Sequence, residues 1–149
     1  MKEKTGLSGK FKLELVSPEG TIKAVREIPN TIMNTGLAEM SGLLLSDVGG
    51  NAFDHLALGE DNTAPNATQS SLISEAYRTG GDGTQETTAQ TDDTAQLSGS
   101  FSITSSVTLQ EAGIFNSSSG GVMLARTTYS SISASNGDTV NAVYKVQFS

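Results

Sequence analysis

Leu97-Ser98-Gly99-Ser100-Phe101-Ser102-Ile103-Thr104-Ser105-Ser106-Val107-Thr108-Leu109-Gln110-Glu111-Ala112-Gly113-Ile114-Phe115 is the stretch whose reading decides the fold. From Leu97 to Leu109 the odd positions are apolar or small and the even ones polar, the period of a half-buried strand. The period gives way to Glu111-Ala112-Gly113-Ile114-Phe115, after which Val122-Met123-Leu124-Ala125 leads to Arg126 and Tyr129. A strand, a short crossing segment with one acid and one glycine, and a further strand is how a β-sandwich is wired. On this reading Gly113 permits a close turn and Ile114 and Phe115 close the core. Glu111 and Arg126 are structural anchors of the same unit.

Working outward, the C-terminal strand is the clearest. Val140, Ala142, Tyr144, Val146 and Phe148 share one face, so Tyr144 and Phe148 are read as core. Asn136-Gly137-Asp138 ahead of it is a hairpin signal that predicts antiparallel pairing of residues 125–132 with 139–148. At the other end, Phe11, Leu13 and Leu15 alternate with Lys10, Lys12 and Glu14, and Pro18-Glu19-Gly20 turns the chain into a hairpin over 11–28. Met33, Leu37, Met40 and Leu44 fall at helical spacing, predicting one short packed α-helix near residues 35–45, capped by Asn34 or Thr35. His55 to Gly59 reads as a short core strand. Residues 79–96 hold no aromatic and no aliphatic side chain larger than alanine, so they read as a long polar loop outside the core. The expected fold is mostly β: an antiparallel, jelly-roll-like β-sandwich over 11–149, preceded by a flexible arm over 1–10.

Composition narrows the partners. A chain of 149 residues is one domain on the length prior. It has no cysteine, which removes disulfides and thiolate chemistry. Its 16 acids against 9 bases give a net charge of −7, which argues against a nucleic-acid partner. No apolar run approaches the ~20 residues of a membrane helix, and the first ten residues contain no signal-like stretch, so a soluble protein made in the cytosol is expected.

Candidate chemistry is sparse. His55 is the single histidine and has no distinctive nucleophile near it in sequence. Glu75 and Glu111, each beside an apolar segment, are the natural pair for carboxylate-based sugar cleavage, but a chain with no Trp and three Tyr offers few aromatic platforms. A glycan-binding face would draw on Tyr77 or Tyr129. The blander reading has both glutamates capping backbone donors or pairing with Arg78 or Arg126. Asp82, Asp92 and Asp93, with Asp61 and Asn62, supply hard oxygen ligands and so a weak calcium possibility, yet they lack the alternating spacing of a helix-loop-helix calcium loop and read better as a solvated acidic turn. No catalytic residue and no cofactor are assigned.

The order of the landmarks resembles a group of small structural proteins and fibre-attachment domains of tailed bacteriophages. The resemblance runs through Asn30-Thr31-Ile32-Met33-Asn34-Thr35-Gly36-Leu37, Leu56-Ala57-Leu58-Gly59, Ala64-Pro65 to Thr68, Leu72-Ile73-Ser74-Glu75, Val107 to Phe115 and Gly121 to Thr127. It implies a β-rich sandwich with a helix against it, without catalysis or cofactor, that sits on a host lattice. The expected role is a virion structural protein decorating or stabilising the capsid. Tail, collar or baseplate membership is the alternative, and a glycan-binding module ranks lower. The expected partners are major capsid or tail proteins and further copies of the chain, a trimer foremost; the expected location is the virion, after the host cytoplasm. Met1 to Lys12 and the loop 79–96 are the expected lattice contacts.

Overall fold

The computed structural model describes residues 6–45 and 48–149. It is a sandwich of two five-stranded antiparallel sheets with a single helix among the described residues. The strands are β1 (Leu7–Val16), β2 (Ile22–Pro29), β3 (Thr31–Ile32), β4 (His55–Gly59), β5 (Glu75–Gly80), β6 (Asp82–Glu86), β7 (Thr94–Ser102), β8 (Val107–Phe115), β9 (Met123–Ala134) and β10 (Thr139–Phe148), with α1 (Asn34–Leu43) between β3 and β4. One sheet runs β2-β1-β10-β7-β6 and the other β3-β9-β8-β4-β5.

The predicted hairpin of β1 and β2 is present, with Phe11, Leu13 and Leu15 buried. The C-terminal strand is central to its sheet, paired with β1 on one side and β7 on the other. Val140, Ala142, Tyr144 and Val146 are buried as expected, but Phe148 is 49% exposed. It shares their face but lines a partly open cavity.

Several expectations are revised. The Asn136-Gly137-Asp138 turn does not close a hairpin: β9 and β10 lie in different sheets. The turn is a corner from one sheet to the other, and it is bonded to the second corner at Ile103, where Gly137 N–H donates to Ile103 O and Ile103 N–H to Asp138 O, both at 2.9 Å. Crossing from β7 to β8 occurs at 103–106, so Glu111 to Phe115 is not a crossing segment but the end of strand β8. A bulge between Leu109 and Glu111 breaks the parity there. Leu109, Ala112 and Ile114 face the main core, whereas Phe115 belongs to a second cluster with Met33, Ala57, Leu72 and Met123.

Gly113 consequently sits in a strand rather than a turn. A Cβ on it would come within 2.9 Å of Leu72 Cδ2 and 3.2 Å of Ala125 O, so its missing side chain makes room for the chain that covers β8.

Segments expected to be loose are partly strand. Residues 7–10 of the expected arm pair with 145–148, and Gly6 and Ser149 exchange backbone bonds of 2.7 and 3.0 Å; residues 1–5 lie outside the described residues. Within 79–96, β6 adds to the edge of β7, and Thr94 is buried. A polar sequence can do this because an edge strand needs backbone pairing more than apolar side chains.

Helix α1 also packs differently from its apolar stripe. Its N-cap is Met33, without a side-chain cap, and its buried helical residues are Gly36 and Gly42. A Cβ at Gly36 would lie 2.7 Å from Leu124 Cα, so the glycine lets the helix lie directly on β9. Leu37 and Leu44 of the expected stripe are exposed, Leu44 to 83%.

Candidate functional site

The bulge before Glu111 turns its side chain away from the main core toward the segment 60–74. There it meets Arg126 of β9, and both side chains are fully buried. Arg126 donates through Nε and Nη2 to Glu111 Oε2 at 2.9 and 2.7 Å. Ile73 N–H donates to Oε2 at 3.1 Å and Ser74 N–H to Oε1 at 2.7 Å. The remaining guanidinium nitrogen donates to Thr63 O at 2.7 Å and to Gln69 Oε1 at 3.2 Å. Asp61 stands 3.9 Å from Nη2, and hydrogen bonds from Thr63, with the charge of Arg126 behind them, hold its carboxyl below the usual range.

This pair is a clamp. Two charges can stay buried only when their hydrogen-bonding capacity is filled, and here it is filled by the backbone of a long connection that has few apolar groups with which to pack. Gly59 belongs to the same arrangement, since any Cβ there would collide with Glu111 Oε1 and Ser74 O. So does Tyr129, whose hydroxyl donates to Glu111 O at 2.9 Å. Burial and the charge of Glu111 push that phenol far above its ordinary range.

Glu75 is held separately. Arg78 donates to it at 2.6 and 2.9 Å, stacks 3.8 Å over the Phe115 ring and bonds Ser117 O and Gly120 O. Each glutamate of the candidate sugar-cleaving pair therefore has its own arginine, and Tyr129 is too buried to serve a glycan face. Tyr77 accepts a bond from Thr104 N–H. His55 Nδ1 lies 2.6 Å from its neighbour Asp54.

The three acids of the calcium reading do not converge. Asp93 Oδ1 accepts from Thr88 N–H and Thr94 Oγ1, and Oδ2 from the N–H groups of Ala89 and Gln90 and from Gln147 Nε2, between 2.8 and 3.2 Å. Bonds to Gln90, Thr88 and Ala89 hold its carboxyl well below the usual carboxylate range. Asp82 is on β6 and Asp92 sits in the following turn at φ +55°. Among the described residues no group of three or more His, Cys, Asp or Glu is placed to hold a metal ion, and no helix is long and apolar enough to cross a membrane.

What remains open lies on the inner side of the sandwich, where Ile114 and Leu124 line it. There α1 and residues 52–53 cover the sheet of β10, β7 and β6 only in part. The gap is a cavity of about 510 Å³, lined on its apolar side by Met40, Leu43, Phe53, Leu97, Val146 and Phe148 and bounded by residues 83–85 of β6. Among the described residues no charged side chain lines it. Leu43, Leu44, Leu45 and Val48 continue the exposed apolar surface beyond it. The apolar stripe read from the sequence runs through Leu44, which the fold leaves exposed; the surplus of leucines at 43–45, more than one helical face can bury, is the sequence signal for the groove.

Compared with known proteins, the chain matches no family model, no curated protein and no solved structure.

Proposed function

We propose that this chain is a non-enzymatic structural protein of a tailed bacteriophage virion, docking on the assembled particle and decorating or stabilising its capsid. The observation that carries the reading is where the resemblance falls in space. Its segments gather round one buried ion pair rather than round a cavity. Val107 to Phe115 supplies Glu111, Gly121 to Thr127 supplies Arg126, and Leu72 to Glu75 supplies the amides of Ile73 and Ser74. Leu56 to Gly59 leaves room for the carboxylate, and Thr31 of the first segment pairs with Arg126 in the sheet. Thr63 and Gln69 flank the segment Ala64 to Thr68 and bond the same guanidinium.

A pattern of this kind maintains a scaffold. The acids and arginines capable of chemistry hold loops in place, and the surface left open beside α1 is apolar. A building block of a particle needs that combination: a rigid body, a negatively charged and soluble surface before assembly, and one face that gains by being covered.

The test is to fractionate particles of the phage that encodes the chain into heads and tails and measure the chain in each by mass spectrometry. Stoichiometric presence in heads is expected. Presence only in tails would move the reading to a collar or baseplate component, and absence from both would end it.

A further inference from the structure

We infer that β6 and the groove beside it form a strand-addition site for an extended, lysine- or arginine-bearing segment of a neighbouring protein, an inference that rests on the proposed docking role and specifies its mode.

Strand β6 is the outer strand of its sheet, paired on one side with β7, and among the described residues its outward edge makes no backbone hydrogen bond. Unpaired edges are a liability that proteins usually blunt with lysine, proline, bulges or covering side chains. This molecule does so elsewhere. Where β9 runs past the two-residue strand β3 and bulges against β8, Arg26 covers it, donating to Ser130 O at 2.9 Å and Ser131 O at 3.0 Å. Strand β6, Asp82-Gly83-Thr84-Gln85-Glu86, carries no lysine, no proline and no such cover. It also forms one bank of the apolar groove, with Leu43 and Phe53 opposite. A strand added along β6 would gain backbone bonds and send alternate side chains into the groove, the two terms on which peptide recognition by strand addition depends.

Charge selects the occupant. The exposed strand carries acids at both ends, and Asp54, whose carbonyl accepts from Gly81 N–H at 2.9 Å, adds a third at its start. A second copy of β6 is disfavoured: antiparallel pairing centred on Thr84 sets Asp82 opposite Glu86 of the other copy, and like charges facing each other across strands repel. An incoming strand that alternates cations with apolar residues meets the acids with the first and fills the groove with the second.

The experiment uses the full chain and two short capped peptides, one alternating lysine with valine and one alternating glutamate with valine, followed by backbone NMR. The lysine peptide is expected to shift the amides of 82–86, Leu43 and Phe53, and to bind less well as salt rises. Asp82→Lys combined with Glu86→Lys, both on the exposed edge, should weaken it by about tenfold and transfer the preference to the glutamate peptide. Equal binding of both peptides, shifts elsewhere, or a preference that survives the reversal would overturn the inference. Incorporation into particles separates it from the broader reading: a folded reversal variant found at wild-type occupancy refutes strand addition alone, whereas absence of the wild-type chain from particles refutes the virion role and leaves the peptide result standing.

Discussion

Glu111 and Asp93 perform the same task in different surroundings. Each is a carboxylate that gathers backbone N–H groups from a polar connection: Glu111 those of Ile73 and Ser74, Asp93 those of Thr88, Ala89 and Gln90. The difference is depth. Glu111 is fully buried and has an arginine against it, while Asp93 is only half-buried and has no cation among its bonding partners. A carboxylate near water keeps part of its hydration and needs amides alone. One shut inside the protein needs a counter-charge as well, because the loss of hydration exceeds what a few amides return.

That contrast is broken most severely by Arg126→Met. The substitution keeps much of the volume of the side chain and leaves Glu111 buried with two amides and no cation. Denaturant unfolding is expected to show a loss of about 3–5 kcal/mol, the usual consequence of removing one partner of a buried pair. Combining it with Glu111→Leu should recover part of the loss, since no lone charge then remains. A single variant as stable as the wild type would mean that Glu111 does not depend on its cation, and the distinction between the two carboxylates would fall.

How much of this was legible in the sequence follows from the same contrast. The alternation around β8 and β10 identified the sandwich because burial on one face imposes a period of two. Glu111 and Arg126 could be named as anchors because a lone acid and a lone base inside apolar runs must be satisfied somehow. Their geometry could not be read. It depends on a bulge at Gln110, which reverses the parity and has no marker in the residue types, and on Thr63 and Gln69, which resemble any other polar loop residues. The Asn-Gly turn misled because its backbone conformation suits a corner between sheets as well as a hairpin, with Gly137 at φ +95° in either case. Asp93 reads as part of a solvated turn, and no residue type there signals that its neighbours' amides fold back onto it.

Asp93→Asn tests the shallower member through pH. A carboxyl whose folded-state pKa is depressed stabilises the protein above its unfolded value, about 3.9, and loses that contribution as the pH falls toward the folded value. The melting temperature of the wild type should therefore exceed that of the variant most at neutral pH, with the gap narrowing below about pH 4. A gap that stays constant across the acid limb would show that the amides recognise the shape of the side chain and not its charge. The effect is expected to be smaller than that of Arg126→Met, because the exposed turn can recruit water in place of a lost bond.

The smallest effect is expected at Asp138, which stands between the two cases. Its residue is buried, it accepts from Ser135 N–H at 2.9 Å, and its cation, Lys23 at 2.8 Å, reaches it from a partly exposed side chain. The bond from Lys23 is the leading reason that its carboxyl lies below the ordinary range. Lys23→Met should raise that pKa toward the ordinary value in a carbonyl-detected NMR titration, yet change the melting temperature only slightly, since a lysine on a solvent-facing stem adds little net stability and water can replace it. In about 1 M salt even that slight change should disappear, because screening weakens the pair in the wild type. A large, salt-independent loss would place Asp138 with Glu111, among carboxylates that cannot do without a cation, and the boundary between the two classes would then be set by the burial of the acid alone and not by that of the pair.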